Sequence, residues 1–407
     1  MILLCLIAVG WPIAPMNSAH AVGNNWGEYQ DYGGTPYMHP GVDVMGITVG
    51  QKVYAVQRGI VKAWLTTQST EHWRLAIADT NLSTDSVNAW LYAHIDPNRW
   101  HRNVGDWVNV GDSIGYLVEW PVTGFDHCHF ARIKDIGATW TTADWAFVRN
   151  SWLLMTPVGD TVKPTFLNAV STRKFALCNN NTSTYRLPDG LTGNIDIIAK
   201  IYDRTGWPLT YKPIWEQLIP YQIDWEVHGP LNKPVQTSFI FKGYLYYQSN
   251  VNVIYKDDAT CNTRGDYDYR DYYFIVTNTD GDSLIEASDA NFYWATASYP
   301  DGYYWIVVTA YDVAGNWAKD SMQVRLANGT GVAELTPAPG SKPGIFPNPN
   351  SGSFMTNIGS LVKLYDGSGR FIAASRNRFT DLSPGIYFAV YELDRKLVTE
   401  KVVVIEQ

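Results

Sequence analysis

Short runs in which apolar and polar residues alternate recur along most of the chain, separated by turn-forming residues. Residues 193–203 alternate in this way before a turn at residues 204–206, and residues 302–312 alternate before a turn at residues 313–316. Alternation with a period of two places the apolar side chains on one face of a strand. Aromatic residues, which make up 14% of the chain, also favour strands. Because no long amphipathic helical pattern accompanies these runs, the sequence predicts an all-β protein.

The first residues form a different, continuously apolar pattern. Residues 2–9 are apolar and are followed by Ala19-His20-Ala21. A short apolar segment that ends in an A-x-A-like site is typical of a secretory signal and is too short to span a bilayer. We therefore predict a signal peptide at residues 1–21 and no transmembrane anchor in the mature chain. The usual basic start is missing, since no Lys or Arg precedes Lys52, and the alternative is a buried N-terminal strand.

Length and charge limit the classes of function. A chain of 407 residues corresponds to roughly two to four domains at about 100 to 200 residues each. The net charge is −8, and no basic stripe is visible. The sequence therefore argues against a nucleic-acid partner.

Four histidines and one aspartate in three short segments are the candidate metal-binding and catalytic residues. His39 and Asp43 flank a Pro-Gly pair that favours a tight loop, and His94 ends a Tyr-Ala-His segment. His127 and His129 are two residues apart in an apolar context, so on a strand both rings point to the same side. Two imidazoles and one carboxylate suit a catalytic zinc ion, which takes three protein ligands and leaves one position open. The two remaining histidines are suited to proton transfer or to stabilising an oxyanion near neutral pH.

The sequence from His39 to Ile133 resembles the lysostaphin-type, or LytM-like, zinc endopeptidases, which cut peptidoglycan peptides. The resemblance includes a V-x-A-x-x-x-G-x-V segment at residues 53–61 and a V-G-x-x-V-x-x-G-x-x-I-G segment at residues 104–115. It implies an antiparallel-sheet peptidase domain at residues 22–158. The segment at residues 119–129 departs from the family pattern, which leaves the substrate preference open.

The same resemblance implies roles for the five residues. His39, Asp43 and His129 would bind one Zn2+ ion, and His94 and His127 would form the catalytic pair that positions a water molecule and stabilises the oxyanion. Tryptophans near these motifs either line a groove or pack in the core; they are Trp90, Trp100, Trp107 and Trp120. His72 and His101 fall in no matching motif and are interpreted as surface or rim residues.

The sequence of the middle region, residues 162–330, predicts a β-sandwich. At its end, a strand, a D-x-x-G-N turn and a closing strand follow one another. This order resembles the end of an immunoglobulin-like or fibronectin-type domain. The region is long for one such domain of about 100 residues, so we expect insertions within residues 225–273. It either docks substrate or acts as a passive spacer. Cys178 and Cys261 could pair in an oxidising compartment, and Asp203 and Asp312 are candidate calcium ligands, although turn carboxylates usually face solvent.

A Pro/Gly-rich segment at residues 331–344 is typical of a linker, and residues 345–407 predict a small C-terminal β-sandwich. The order of motifs in this tail resembles the sorting domain recognised by the type IX secretion system. That resemblance implies the secretion machinery as a partner and passage across the periplasm and outer membrane. The protein would then be secreted or attached to the cell surface.

Together these features predict an exported zinc metalloendopeptidase that hydrolyses peptide bonds in peptidoglycan cross-links or stem peptides. Two alternatives remain open. One is a non-catalytic extracellular binding or adhesion protein with a peptidase-like domain. The other is a metallopeptidase that acts on extracellular proteins.

Overall fold

The computed structural model describes residues 8–405, except residues 33, 67–68, 81–85, 97–101, 136–147, 244–249, 283, 329–344, 347–351, 357, 359, 377 and 394–395. The chain forms two compact units, residues 1–329 and residues 330–407. The predicted linker at residues 331–344 lies outside the described residues. So do Trp100 and His101.

The N-terminal part of the first unit consists of antiparallel strands with short 3-10 turns at Thr70–His72 and Ser151–Leu154. Its strands are β1 Tyr29–Gln30, β2 Tyr37–Met38, β3 Val42–Met45, β4 Lys52–Tyr54, β5 Gly59–Leu65, β6 Arg74–Ala78, β7 Ser86–Ala93, β8 Ile95–Asp96, β9 Trp107–Val108, β10 Ser113–Leu117, β11 His127–Asp135 and β12 Val148–Arg149. The main sheet has the order β12-β11-β7-β6-β5-β9, with β3 also paired to β11. A three-stranded sheet has the order β4-β10-β8.

In strand β11 the polar and apolar side chains of the H-x-H segment point to opposite faces. Cys128 and Phe130 are fully buried in the hydrophobic core, so they occupy one face of the strand. His127 and His129 occupy the other face, as the period of two requires. One face of β11 therefore packs in the hydrophobic core, and the other face carries the two imidazoles.

The described part of the predicted signal segment, residues 8–21, is packed within the first unit. Trp11 and Ile13 are 0% exposed, and the Trp11 indole donates a hydrogen bond to the carbonyl of Pro157 (2.8 Å). Ile13 forms a β-bridge with Val53. This arrangement matches the alternative of a buried N-terminal segment, because an apolar run is equally suited to export and to burial. Cleavage after residue 21 stays a prediction.

The middle region of the first unit adds twelve strands, a one-turn helix α1 at Val251–Ile254, and 3-10 turns at Pro213–Glu216, Ala287–Asn291 and Thr296–Ser298. Its strands are β13 Thr165–Leu167, β14 Phe175–Asn179, β15 Asp189–Leu191, β16 Asn194–Tyr202, β17 Gln222–His228, β18 Lys233–Ile240, β19 Arg264–Gly265, β20 Arg270–Asp271, β21 Tyr273–Ile275, β22 Trp294–Ala295, β23 Gly302–Tyr311 and β24 Trp317–Leu326. One sheet has the order β13-β16-β14, with β21 and β22 also on β16. The other has the order β15-β24-β23-β17-β18.

The inward residues of both middle sheets belong to the same hydrophobic core as the N-terminal sheets. Ile195 and Ile197 of β16 and Ile306 and Val308 of β23 are all fully buried in it. The hydrophobic core therefore continues across the domain boundary that was expected between residues 158 and 162. The long segment between β18 and β21, which contains α1, β19 and β20, also packs against the N-terminal part: Tyr255 donates a hydrogen bond to the carbonyl of Gly27 (2.7 Å).

The second unit has its own small core of buried apolar side chains. Its strands are β25 Ile345–Phe346, β26 Phe354–Thr356, β27 Val362–Asp366, β28 Phe371–Ser375, β29 Arg378–Phe379, β30 Gly385–Leu393 and β31 Lys396–Val404. They form one sheet of order β25-β26-β29 and another of order β28-β27-β30-β31. Val362 and Leu364 of β27 and Ala389 of β30 are 0% exposed. The unit is thus folded around its own apolar centre.

The predicted all-β class is confirmed, since the described elements are almost all strands. None of the helices among these residues has the length and apolar character needed to cross a membrane. Cys178 and Cys261 are unpaired in the structure and are buried in the same small cluster.

The packing of residues 8–21 leads to a stability prediction. Replacing the fully buried Trp11 with alanine should lower the free energy of unfolding of the full chain by about 3–5 kcal/mol, measured by urea denaturation. The matched control is Trp107→Ala: its side chain is 42% exposed, and we expect a much smaller change. Equal stability of Trp11→Ala and the unchanged protein would show that this segment is not part of the mature fold.

Candidate metal centre

Strand register brings the predicted site residues together. On β11, His129 lies opposite Asp43 of β3 on one side and opposite Ala93 of β7 on the other. His127 lies two residues earlier on the same face. His94 follows β7 directly, and its φ of 62° turns the chain in a conformation that non-glycine residues rarely adopt. The His39 loop precedes β3, so four chain segments meet at one point.

Three of the predicted residues form a compact donor set. The Nε2 atom of His39 is 3.0 Å from Nδ1 of His129 and 3.1 Å from Oδ1 of Asp43. The Nδ1 atom of His129 is 3.0 Å from the same Asp43 oxygen. Ligand atoms about 2.0–2.1 Å from a tetrahedral zinc ion are about 3.3 Å apart. The triangle is within a few tenths of an ångström of that spacing.

Hydrogen bonds orient these donors for cation binding. The Nδ1 atom of His39 lies 3.0 Å from the carbonyl oxygen of Asn25, and an N–H donated there leaves Nε2 with its lone pair. The Asn24 amide donates to Oδ2 of Asp43 (2.6 Å), so Oδ1 is free for the cation. Such outer contacts fix the tautomer and orientation of metal ligands. The donor set therefore fits a zinc ion.

The two remaining histidines lie beside the donor set. His94 bonds through Nδ1 to the carbonyl of Glu71, and His127 bonds through Nδ1 to the carbonyl of Phe125 (2.7 Å). In both rings Nδ1 is the donor, so Nε2 is the atom able to accept a proton. The ring centroids of His94 and His127 are 4.7 Å apart, and Nε2 of His127 is 3.4 Å from Oδ2 of Asp43.

Burial and the central carboxylate set the protonation states. Burial alone would raise the pKa of Asp43, but the imidazoles of His127 and His39 hold it well below its usual range. Burial lowers the pKa of His94 well below its usual value and lowers that of His129 to about 4. Burial also lowers the pKa of His127, against the opposing effect of Asp43. For His39 the carboxylate outweighs burial and the pKa is raised. Near pH 7 the carboxylate of Asp43 is therefore ionised and the imidazoles of His94, His127 and His129 are neutral, whereas a cation that binds Nε2 of His39 has to compete with a proton.

A cavity of about 330 Å³ lies against all five residues. Aromatic side chains form much of its wall, namely Tyr32, Tyr37, Trp120 and Tyr267. His72 also lines it, as expected for a rim residue. Of the other described tryptophans named above, Trp90 stacks on Phe130 in the core and Trp107 is exposed.

Trp120 and Tyr267 form one wall of the cavity together. The Trp120 ring lies 4.5 Å from the His94 ring and 4.7 Å from the His127 ring, centroid to centroid. Its indole N–H donates to the hydroxyl of Tyr267 (2.7 Å), and Tyr267 stacks on Tyr32 at 4.6 Å. Tyr267 belongs to the segment between β18 and β21. The middle region therefore contributes directly to the cavity.

Arg270 links the same middle segment to the metal centre. Its guanidinium donates to Oδ1 of Asn24 (2.7 Å) and to the carbonyl of Gly23 (2.6 Å), and it pairs with Glu28 at 3.4 Å. Tyr272 also donates to Glu28 (2.6 Å). Because Asn24 holds Asp43, the buried Arg270 fixes the Asp43 carboxylate through one intermediate side chain. This contact argues against a purely passive spacer.

Three residues of the site were missed by sequence reasoning. Asn24 lies in a loop with no motif, and Tyr267 and Arg270 lie more than 200 residues from the His39 loop. None carries a periodic or spacing signal.

No protein-family model and no curated protein matches the chain. Solved structures similar to part of it include the catalytic domain of the antimicrobial peptidase lysostaphin from Staphylococcus simulans, with 21% identity over 32% of this chain and 89% of that chain and a TM-score of 0.25. A zinc-containing peptidase from Vibrio cholerae is 20% identical over 31% of this chain and 37% of that chain, with a TM-score of 0.26. Another lysostaphin structure from Staphylococcus simulans is 13% identical over 58% of this chain and 98% of that chain, with a TM-score of 0.28.

The glycine between His39 and Asp43 makes the donor set sensitive to a single methyl group. A Cβ on Gly41 would lie 2.5 Å from Nε2 of His129, which is closer than van der Waals contact allows. We therefore expect Gly41→Ala to displace the His129 ring and to weaken zinc binding by about 10–100-fold, the range seen when ligand orientation is disturbed. Competition with a chromogenic chelator measures this. Gly385→Ala is the control, because a Cβ at Gly385 would meet its nearest neighbour at 3.7 Å, an ordinary van der Waals distance. Equal affinities for zinc in Gly41→Ala and the unchanged protein would contradict this prediction.

Because Arg270 and Glu28 form a buried ion pair, we expect the effects of substituting both residues on the free energy of unfolding to be non-additive. Arg270→Met should lower the free energy of unfolding by about 3–5 kcal/mol, because it leaves the Glu28 carboxylate buried without its cation. Adding Glu28→Gln should recover part of that loss, as judged by urea denaturation. Arg325→Met, which removes an exposed pair with Asp189, serves as the control and should change the stability little, because solvent screens an exposed ion pair. A double variant as unstable as the sum of the single variants would contradict the pairing.

Proposed function

We propose that this protein is an exported zinc metalloendopeptidase that hydrolyses peptide bonds in peptidoglycan cross-links or stem peptides. One observation carries the proposal: the donor atoms of His39, Asp43 and His129 converge within 3.1 Å of one another, beside two further histidines and against a cavity. This set provides metal ligands and proton-transfer groups at a single point.

A zinc ion bound there would polarise a carbonyl group and lower the pKa of a bound water to about 7. His39, Asp43 and His129 would hold it. His127 accepts a proton at Nε2, and the Asp43 oxygen at 3.4 Å stabilises the imidazolium that results. His94, whose pKa is held low by burial and whose Nδ1 donates to the Glu71 carbonyl, presents a neutral Nε2 on the same side, where it can accept a hydrogen bond from the attacking water. His127, once it carries the proton, can donate to a developing oxyanion.

The cavity wall suits a peptide better than a small ion or metabolite. Trp120 packs against both rings of the histidine pair and removes water from one side of them. Tyr32 and Tyr37 line the same cavity and offer hydroxyl groups to a peptide backbone. Peptidoglycan as the source of that peptide is supported by the resemblance around residues 39–133.

Export belongs to the same proposal and is supported by the sequence of the tail. Residues 345–407 resemble a type IX sorting domain, and they fall in a unit with its own apolar core. We propose that the secretion machinery carries the chain across the outer membrane and that the protein then acts outside the cell or attached to its surface.

The activity prediction uses the full chain and two variants. We expect about one zinc per chain by elemental analysis in the unchanged protein and in His94→Ala, and loss of zinc in His129→Ala. Only the unchanged protein should release new peptide ends from peptidoglycan at full rate, measured by mass spectrometry. His94→Ala should be slower by about 10²–10⁴-fold, the contribution typical of a positioned proton-transfer group.

His228→Ala is the control, since this histidine lies on β17 with half of its side chain exposed and should keep both zinc and activity. Retained zinc and turnover in His129→Ala would contradict the proposal. Zinc without cleavage of wall fragments, but with cleavage of an extracellular protein, would change the substrate class. Absence of both zinc and cleavage would favour the binding-protein alternative.

A further inference from the structure

We propose that Asp160, Asp203 and Asp312 form a binding site for a calcium ion in the middle region, independent of the zinc centre. Among the described residues these three carboxylates and the His39-Asp43-His129 set are the groups whose ligand atoms could hold a metal, and in each group these atoms lie within 4.8 Å of one another.

The three aspartates come from separate parts of the fold. Asp203 follows the last residue of β16 in one sheet, and Asp312 follows the last residue of β23 in the other. Asp160 lies in the segment that leaves the N-terminal part. Their exposed fractions are 7% for Asp160, 3% for Asp203 and 2% for Asp312. The fold therefore buries three acidic groups at one point where the two sheets and the connecting segment meet.

Two of these carboxylates have an oxygen without a hydrogen-bond donor. Oδ2 of Asp160 and Oδ1 of Asp203 are buried and have no partner, and no Lys or Arg of the described residues forms an ion pair with any of the three. Of the other oxygens, Oδ1 of Asp160 accepts from the Val162 N–H (2.9 Å), and Asp312 accepts from Asn316 at both oxygens, from the backbone N–H (2.9 Å) and from the side-chain amide (2.8 Å). A buried carboxylate without a partner is costly, so the arrangement calls for a cation.

The electrostatics of the cluster agree with this reading. Burial, with a further contribution from Asp312, raises the pKa of Asp160 to about 7. Burial and the two neighbouring carboxylates raise the pKa of Asp203 well above its usual range. Close acidic groups repel one another when ionised. A divalent ion between them would turn that repulsion into attraction.

The donor chemistry selects calcium among common cations. Three carboxylates offer up to six oxygens and no nitrogen or sulfur, which is the ligand preference of hard cations and not of zinc. Calcium binds six to eight oxygens at about 2.3–2.6 Å, whereas magnesium usually keeps several of its waters. Side chains that are only 2–7% exposed are in little contact with bulk water. The cluster therefore fits a largely dehydrated calcium ion.

Calcium at this point would hold the junction of the first unit. It would connect the ends of β16 and β23 to the segment around Asp160, whose carbonyl already accepts a hydrogen bond from Asn316 (3.3 Å). The backbone of Asp203 also pairs with Leu218, next to Gln217, whose carbonyl accepts from Arg270. The ion would thus stabilise the region that supports the zinc centre without touching that centre.

The test is calcium binding by the full chain, stripped of metals by dialysis and reloaded with one equivalent of zinc. Titration calorimetry with CaCl2 should show one site, and the Tm should rise by a few degrees at millimolar calcium, since a ligand that binds only the folded state stabilises it. Magnesium at the same concentration should give a much smaller shift. Zinc content should not change during the titration.

Asp203→Asn should abolish both the calcium heat and the Tm shift while zinc binding stays intact. Without calcium this variant should be at least as stable as the unchanged protein, because a neutral amide of the same shape replaces a buried carboxyl group whose ionisation burial and its acidic neighbours oppose. Asp196→Asn is the matched control: Asp196 is also a buried aspartate with an unpaired Oδ1, on the same strand β16 but outside the cluster, and it should keep calcium binding.

Three results would overturn the proposal. They are no calcium binding by the unchanged protein at millimolar concentration, calcium binding that survives in Asp203→Asn, and an equal Tm shift with magnesium. Should Asp203→Asn fail to fold, Asp160→Asn takes its place, since the Asp160 carboxylate also has an unpaired oxygen. The outcome does not depend on peptidase activity, so it can be separated from a failure of the zinc proposal.

Discussion

The whole site depends on the register of β11 between β3 and β7. In this register His129 lies between Asp43 and Ala93, and His94 follows Ala93 at the strand end. A slip of one residue would turn His127 and His129 into the core and present Cys128 at the site, because side chains alternate with a period of two. Burial of Cys128 and Phe130 at 0% exposure makes such a slip costly. The apolar face of the strand therefore fixes the position of the polar face.

A second constraint is the buried charge beneath the site. Arg270 and Glu28 have side chains that are 0% and 1% exposed, so neither charge can be satisfied by water and each requires the other. Their pairing holds the segment between β18 and β21 against the loop that carries Asn24. Through Asn24 this pairing reaches Asp43, and through Tyr267 the same segment reaches Trp120. Removing the middle region would therefore leave the Glu28 carboxylate unpaired near the His39-Asp43-His129 set.

The sequence was sufficient for those parts of the protein that local patterns determine. The H-x-H pair could be placed on one strand face because alternation of polar and apolar residues has a fixed geometric meaning, and the glycine beside His39 indicated a tight loop. The all-β class followed from the same alternation. The predicted β-sandwich and the separate small tail also came from short strand and turn signals, which depend on neighbouring residues.

Other parts could not be predicted, because they depend on contacts between distant residues. The apolar run before Val22 has the composition of both a signal peptide and a buried segment, and only the contact of Trp11 with Pro157 favours the second. Arg270 is one of many arginines until the fold places it against Glu28. Asp203 and Asp312 were candidate calcium ligands in the sequence, but nothing there marked Asp160, and the burial of all three at one point is a property of the two sheets together.

The two acidic clusters differ in the chemistry that their surroundings allow. Asp43 is surrounded by imidazoles, which hold its pKa low, and it faces a cavity where a substrate can enter. Asp160 and Asp203 are surrounded mainly by other carboxylates and are closed off from solvent, so their pKa values are raised. An open centre with mixed nitrogen and oxygen donors suits a reacting metal ion, whereas a closed all-oxygen cluster suits one that holds structure. The first unit thus contains two distinct positions for a cation. The one at Asp43 is suited to a reacting metal ion, and the one at Asp160, Asp203 and Asp312 is suited to a structural ion.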